Sequence, residues 1–137
     1  MEKFPITLDD GKFLVNVQAI QQHSNETSAM QPYLSHHAIL TKEKENIFLT
    51  LMIQEQKVIT GLQVIDENRE AITSFERQVD EENGIRYEIF QLPQLFTLMS
   101  IQVQYEVEHK GDTFTGDEPL RLYFDPESVQ NVEEIDL

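Results

Sequence analysis

Met99-Ser-Ile-Gln-Val-Gln-Tyr-Glu-Val-Glu-His109 alternates without a break. Met99, Ile101, Val103, Tyr105, Val107 and His109 share one parity, and Ser100, Gln102, Gln104, Glu106 and Glu108 share the other. A period of two sends successive side chains to opposite faces of a pleated strand, so the stretch predicts one buried and one wet face. The buried face changes along its length, from aliphatic at Met99, Ile101 and Val103 to Tyr105 and then His109, where Lys110-Gly111-Asp112 turns the chain. Any chemistry is expected at that end.

Downstream of the turn, Leu120, Leu122 and Phe124 form the apolar parity of a last strand, and Pro119 puts its upstream part at an edge or bulge. Asp125 to Leu137 is acidic and carries Pro126, so residues 1–125 read as a single domain and 126–137 as an acidic tail or short terminal turn. Upstream, Asp9-Asp10-Gly11 turns into a strand with Phe13, Val15, Val17 and Ala19 inward. Gln21 to Leu34 is a long, polar connection ending in Ser28-Ala-Met-Gln-Pro-Tyr33-Leu, suited to one turn of 3₁₀ or α-helix capped by Ser28.

Strands are expected over 37–41, 47–53 and 58–65, the last interrupted by Gly61 as at a bulge. A weaker strand follows over 69–77, with Ile72 as its best core residue. Asn83-Gly84 signals a hairpin into a strand whose Ile85, Tyr87 and Ile89 face the core, against Arg86 and Glu88. About eight strands at regular spacing, with no long amphipathic helix, predict an all-β, immunoglobulin-like antiparallel β-sandwich with a short 3₁₀ or α turn after strand one.

With 137 residues and 39% hydrophobic content, the chain is the size of one domain that buries a core without staples. Its formal charge of -15, against only ten Lys and Arg, argues against nucleic-acid binding and against an anionic membrane surface. No apolar run approaches the roughly eighteen residues that would span a bilayer, so direct membrane insertion is not expected, and Met1 to Asp10 lack a signal-peptide pattern. The absence of cysteine excludes disulfides, thiolate metal sites and a cysteine nucleophile.

Hydrolytic motifs are missing too, and the chain does not read as an enzyme. His36 and His37 are neighbours that strict alternation would send to opposite faces. Ser28, Met30 and Tyr33 on one short turn would project a hydroxyl, a thioether and a phenol together over a sheet, either as a structural plug or as the roof of a pocket. Tyr105 and His109 share a strand face and both can ligate iron, or they are partly buried rim residues.

In order, Asp10-Gly-Lys-Phe13, Ser28-Ala-Met-Gln-Pro-Tyr33, Ile59-Thr-Gly-Leu-Gln-Val64 and a closing hairpin ending Leu120-Arg-Leu-Tyr-Phe-Asp125 resemble the NEAT (near iron transporter) domain over roughly Leu8 to Asp125. The resemblance implies an eight-stranded immunoglobulin-like sandwich from Gram-positive surface or secreted proteins that take up or relay haem, some of which bind haemoglobin. It implies haem seated between the 3₁₀ turn and the last hairpin. Ser28 would bond a propionate, while Met30, Tyr33, Ile101, Val103 and Phe114 would line the porphyrin. The family's Tyr-x-x-x-Tyr iron motif belongs to the last strand, where this chain has Thr113-Phe-Thr-Gly-Asp-Glu118; the matching spacing is Tyr105-Glu-Val-Glu-His109, one strand earlier. Tyr105 is therefore the expected axial ligand, with His109 its hydrogen-bond partner or the alternative ligand. The competing expectation is a sandwich that binds haemoglobin or another surface protein without binding haem.

Overall fold

The two halves of β1 (Gly11–Gln21) belong to different sheets, and the architecture follows from that division. The computed structural model describes residues 2–132. From Gly11 to Asn16, β1 pairs with β2 (Leu34–Glu43), whose other neighbours in turn are β3 (Asn46–Ile53), β7 (Ile85–Leu92) and β6 (Glu76–Asp80). From Val17 to Gln21, β1 pairs instead with β9 (Asp112–Phe124), followed by β8 (Leu98–His109), β4 (Ile59–Ile65) and β5 (Ala71–Thr73). All these pairings are antiparallel, and the inner faces of the two sheets enclose the core of the expected β-sandwich.

That core is built from the predicted parities. Val15, Val17 and Ala19 of β1, Leu49, Leu51 and Ile53 of β3 and Ile101 and Val103 of β8 belong to one cluster, all fully or almost fully buried. Gly61 sits at a register shift in β4, where its missing side chain leaves room for the Gln104 amide. Pro119 lies just beyond the last β9 residue that pairs with β1, so its missing N–H falls on a free edge.

Two local expectations change, and a third gains detail. The segment 69–77 is two strands in opposite sheets, β5 against β4 and β6 against β7, with Ser74 and Phe75 carrying the chain across. The segment after Phe124 returns to β1: Asp125 caps a 3₁₀ turn at Pro126–Ser128, and β10 (Gln130–Asn131) pairs with Leu14 and Phe13. Residues 133–137 of the acidic segment lie outside the described residues. In β7 the inward parity is the charged one, with Arg86 and Glu88 buried and Ile85, Tyr87 and Ile89 half-exposed on the outer face.

The register explains that inversion. Leu49, Leu51 and Ile53 stand directly opposite Phe90, Glu88 and Arg86, and cross-strand partners share a face. Burial of the two charges is tolerated because they satisfy one another. Arg86 Nε donates to Glu88 Oε2 at 3.1 Å, Nη1 to the Gln56 carbonyl at 3.0 Å and Nη2 to the Ile59 carbonyl at 2.7 Å. Glu88 Oε1 accepts from Ser74 Oγ at 2.9 Å and from Arg77 Nε at 3.1 Å. The network therefore ties β7 to the crossover at Ser74 and to the connection between β3 and β4.

Removing one partner strands the other in the core. Glu88→Ala should cost about 3–5 kcal/mol of unfolding free energy, while Val103→Ala should cost about 1–3 kcal/mol through lost burial. Urea unfolding of the two variants checks the ranking, and a milder loss at Glu88 would contradict a buried, mutually dependent pair.

Candidate functional site

The 3₁₀ turn is Gln31–Tyr33, entered from Met30 and with Pro32 inside its first turn. Ser28 does not cap the helix itself. Its Oγ accepts from the Met30 N–H at 3.1 Å, which bends the chain just ahead of the turn, and Ser28 is nearly buried at 9% exposure. Among the described residues no acceptor takes its hydroxyl proton, which is free to be donated. Gln31 holds the turn in place: its Oε1 accepts from the Ala19 N–H at 2.6 Å and its Nε2 donates to the Leu34 carbonyl at 3.0 Å. These bonds fall where β1 has left β2, so a buried side-chain amide replaces the missing strand partner. Met30 and Tyr33 are half-buried and pack on the core from above.

The second wall is the β8–β9 hairpin. Its ladder is continuous from Leu98 opposite Tyr123 to His109 opposite Asp112. Lys110 and Gly111 close it with positive φ at both positions, 52° and 83°, the two-residue type I′ turn. Cover from other strands stops earlier, at Tyr105 on the β4 side and at Leu120 on the β1 side. Past that limit the inward parity continues as Tyr105 and Val107, half-buried, opposite Gly116 and Phe114, the latter 54% exposed. The Tyr105 ring packs on the core edge, and its hydroxyl has no hydrogen-bond partner among the described residues.

On the wet face, Gln102 and Gln104 both donate to Asp117 Oδ1 at 2.8 Å, and Gln104 exchanges amide bonds with Gln63 of β4 at 2.9 Å. These bonds, that from Gln102 foremost, hold the Asp117 carboxyl below its ordinary range. A lowered carboxyl favours the folded state above its unfolded value and loses that contribution as pH falls through the folded one. The hairpin is thus stiffened from behind at neutral pH.

The chain from Gln54 to Val58 relates the two walls. Gln54 N–H donates to the Tyr33 carbonyl and Glu106 N–H donates to the Val58 carbonyl, each at 2.8 Å. Turn and hairpin therefore flank the β3–β4 connection that Arg86 holds through Gln56 and Ile59. Of the residues expected at the site, Tyr105 and Phe114 share the uncovered hairpin face, and Ser28, Met30 and Tyr33 lie together across the connection. Ile101 and Val103 are 1% and 0% exposed and form the floor of the core instead of a surface. His109 is exposed beside the turn, about 13 Å along the strand from Tyr105.

Gln31, Arg86 and Gly116 were not singled out by their sequence. For Gly116 a signal exists, since a two-residue turn at Lys110-Gly111 sets Tyr105 opposite it by counting. His36 and His37 do not take opposite faces. A register shift between Leu34 and Ala38 leaves both exposed, bordering a cleft with Gln18, Tyr123 and Asp125. Among the described residues, no group of three or more His, Asp or Glu is arranged to hold a metal ion.

Gln31→Ala leaves the Ala19 N–H without its acceptor and should cost about 1–3 kcal/mol. The expected signature is faster hydrogen exchange at Ala19 with unchanged protection at Val103. Equal protection at Ala19 would show that the amide is not what fixes the turn.

Comparison with curated proteins finds no match. Among solved structures, the chain is similar to the NEAT5 domain of IsdX2, a B. anthracis hemophore in complex with heme. The TM-score is 0.74 at 18% identity, covering 86% of this chain and 98% of that one. A point mutant of IsdX2-NEAT5 in complex with heme gives the same score and identity over 87% and 98%. These likenesses show the fold. The sequence also matches the family described as "NEAT: Iron Transport-associated domain" over residues 7–125, so the chain belongs to the NEAT family.

Proposed function

We propose that this domain binds haem for uptake or relay in bacterial iron acquisition, holding it between the 3₁₀ turn and the uncovered end of the β8–β9 hairpin. One observation carries the reading: an apolar face of Val107 and Phe114 ends in the phenol of Tyr105, unpartnered among the described residues, on the hairpin where the resemblance implies haem is seated. The two structures of the IsdX2 NEAT5 domain in complex with heme support it. A porphyrin would cover Phe114, the large apolar side chain this face leaves exposed. Phenolate is a hard anionic donor suited to ferric iron, and imidazole is a good donor to iron in either state. Tyr105 is assigned as axial ligand, and His109, exposed about 13 Å along the strand, as the alternative ligand in place of the hydrogen-bond partner expected from the sequence. Ser28 would donate its hydroxyl proton to a propionate, and Met30 and Tyr33 would close the opposite porphyrin face.

The work of such a site is capture and release by ligand exchange, without chemical turnover. Its place is the cell surface or the secreted fraction of a Gram-positive bacterium, and its other partners are haemoglobin or haem-relay proteins. A second reading, recognition of such a protein without haem, draws on a different surface. Ile39, Phe48, Phe75, Tyr87 and Ile89 line an outer-face cleft of about 660 Å³, with Phe75 61% exposed and its ring 5.4 Å from that of Phe48.

Haemin titration separates the two. The haem reading expects about one equivalent to saturate a Soret band, and absorbance no different from free haemin in buffer would overturn it. Tyr105→Phe should abolish a high-spin phenolate spectrum and His109→Ala only weaken it; the reverse ranking would make His109 the ligand. Met30→Ala with Tyr33→Ala should weaken haem retention and leave the melting temperature nearly unchanged. A loss of stability equal to that of Val103→Ala would instead mark the pair as a structural plug.

A further inference from the structure

Gly116 has no backbone reason to be glycine. It lies inside β9, outside the positive-φ glycines at 11, 84 and 111, and any residue adopts its conformation. Its reason is space. A Cβ built there would overlap Cζ, Oη and Cε1 of Tyr105, so the phenol ring reaches across from β8 and lies directly over the Gly116 backbone. The hydroxyl thus emerges from β9, although the residue belongs to β8.

Phe114 and Glu118 flank Gly116 on the same face of β9. Phe114 has no donor atom, so this face of β9 itself offers no phenol, Tyr123 lying on the opposite parity. We infer that Gly116 is a positioning residue: by leaving the space above β9 empty, it lets Tyr105 of the neighbouring strand present its hydroxyl between Phe114 and Glu118. The overlapping atoms are the far end of a side chain, so a methyl group at 116 displaces the ring and spares the ladder. This inference rests on the haem reading for its purpose but not for its geometry.

The test uses the whole domain, with and without haemin. In Gly116→Ala without haemin, the Tyr105 ring resonances, assigned by their loss in Tyr105→Phe, should shift while the melting temperature stays with the wild type. With haemin, the same variant should lose the phenolate spectrum and bind about tenfold or more weakly. Adding Gly116→Ala to Tyr105→Phe should change haemin affinity no further. Unmoved ring resonances, or an equal loss of affinity in the Tyr105→Phe background, overturn the positioning role. Should Gly116→Ala melt early, Tyr105→Ala/Gly116→Ala must melt with Tyr105→Ala alone, and persistent destabilisation overturns the inference. A wild type that takes up no haemin overturns the haem reading, and the ring resonances still decide the geometry.

Discussion

The β8–β9 ladder outruns its cover, and the rest of the structure is arranged around that mismatch. The two strands pair from Leu98 to His109, but β4 accompanies β8 only to Tyr105 and β1 accompanies β9 only from Leu120. Up to that limit the inward parity is core, with Ile101, Val103, Leu120 and Leu122 at 2% exposure or less. Beyond it the same parity continues without a covering strand, leaving Val107 half-buried and Phe114 54% exposed. Apolar surface left in water costs about 25 cal/mol per Å² relative to burial, so Phe114 and Val107 favour any flat apolar partner that arrives. Haem is such a partner, and in the proposed site its iron would meet the unpartnered hydroxyl of Tyr105.

Two buried polar groups fix what faces this surface. Gln31 supplies the bond that β1 loses on changing sheets, and so determines where the 3₁₀ turn sits. Arg86, neutralised by Glu88, grips the carbonyls of Gln56 and Ile59 and so shapes the connection between turn and hairpin. Neither contributes an atom to the proposed site. Both buried side chains would be costly to leave unpaired, which makes the surrounding geometry hard to deform.

Much of this was legible in advance, and the exceptions have physical causes. Alternation from Met99 to His109 and the turn at Lys110-Gly111 specify both the hairpin and its register, because side-chain period and turn length leave one pairing. The strand itself pointed to Tyr105, and the resemblance added haem and the expectation that Tyr105 ligates its iron. Alternation failed in β7, where Ile85, Tyr87 and Ile89 look like core until Leu51 and Ile53 are seen opposite Glu88 and Arg86. A single strand cannot reveal that its charges will be paired by Ser74, Arg77 and two carbonyls from elsewhere. It failed again at His36 and His37, where a register shift suspends the period, and at Ser74-Phe75, where a short break moves the chain between sheets. Gln31 carried no local sign, since its partners are the backbones of Ala19 and Leu34.

The proposed site differs from the pattern the family resemblance implies in the strand that carries the phenol. A Tyr-x-x-x-Tyr motif places ligand and partner on the last strand, whereas here that strand offers Phe114, Gly116 and Glu118 and the tyrosine reaches over from its neighbour. A crystal structure of the haemin complex tests this most directly. The account predicts iron bonded to Tyr105 Oη above Gly116, with the porphyrin against Phe114 and Met30. Iron bonded to His109 with Tyr105 turned away, or haem seated on the outer face beside Phe75, would contradict it.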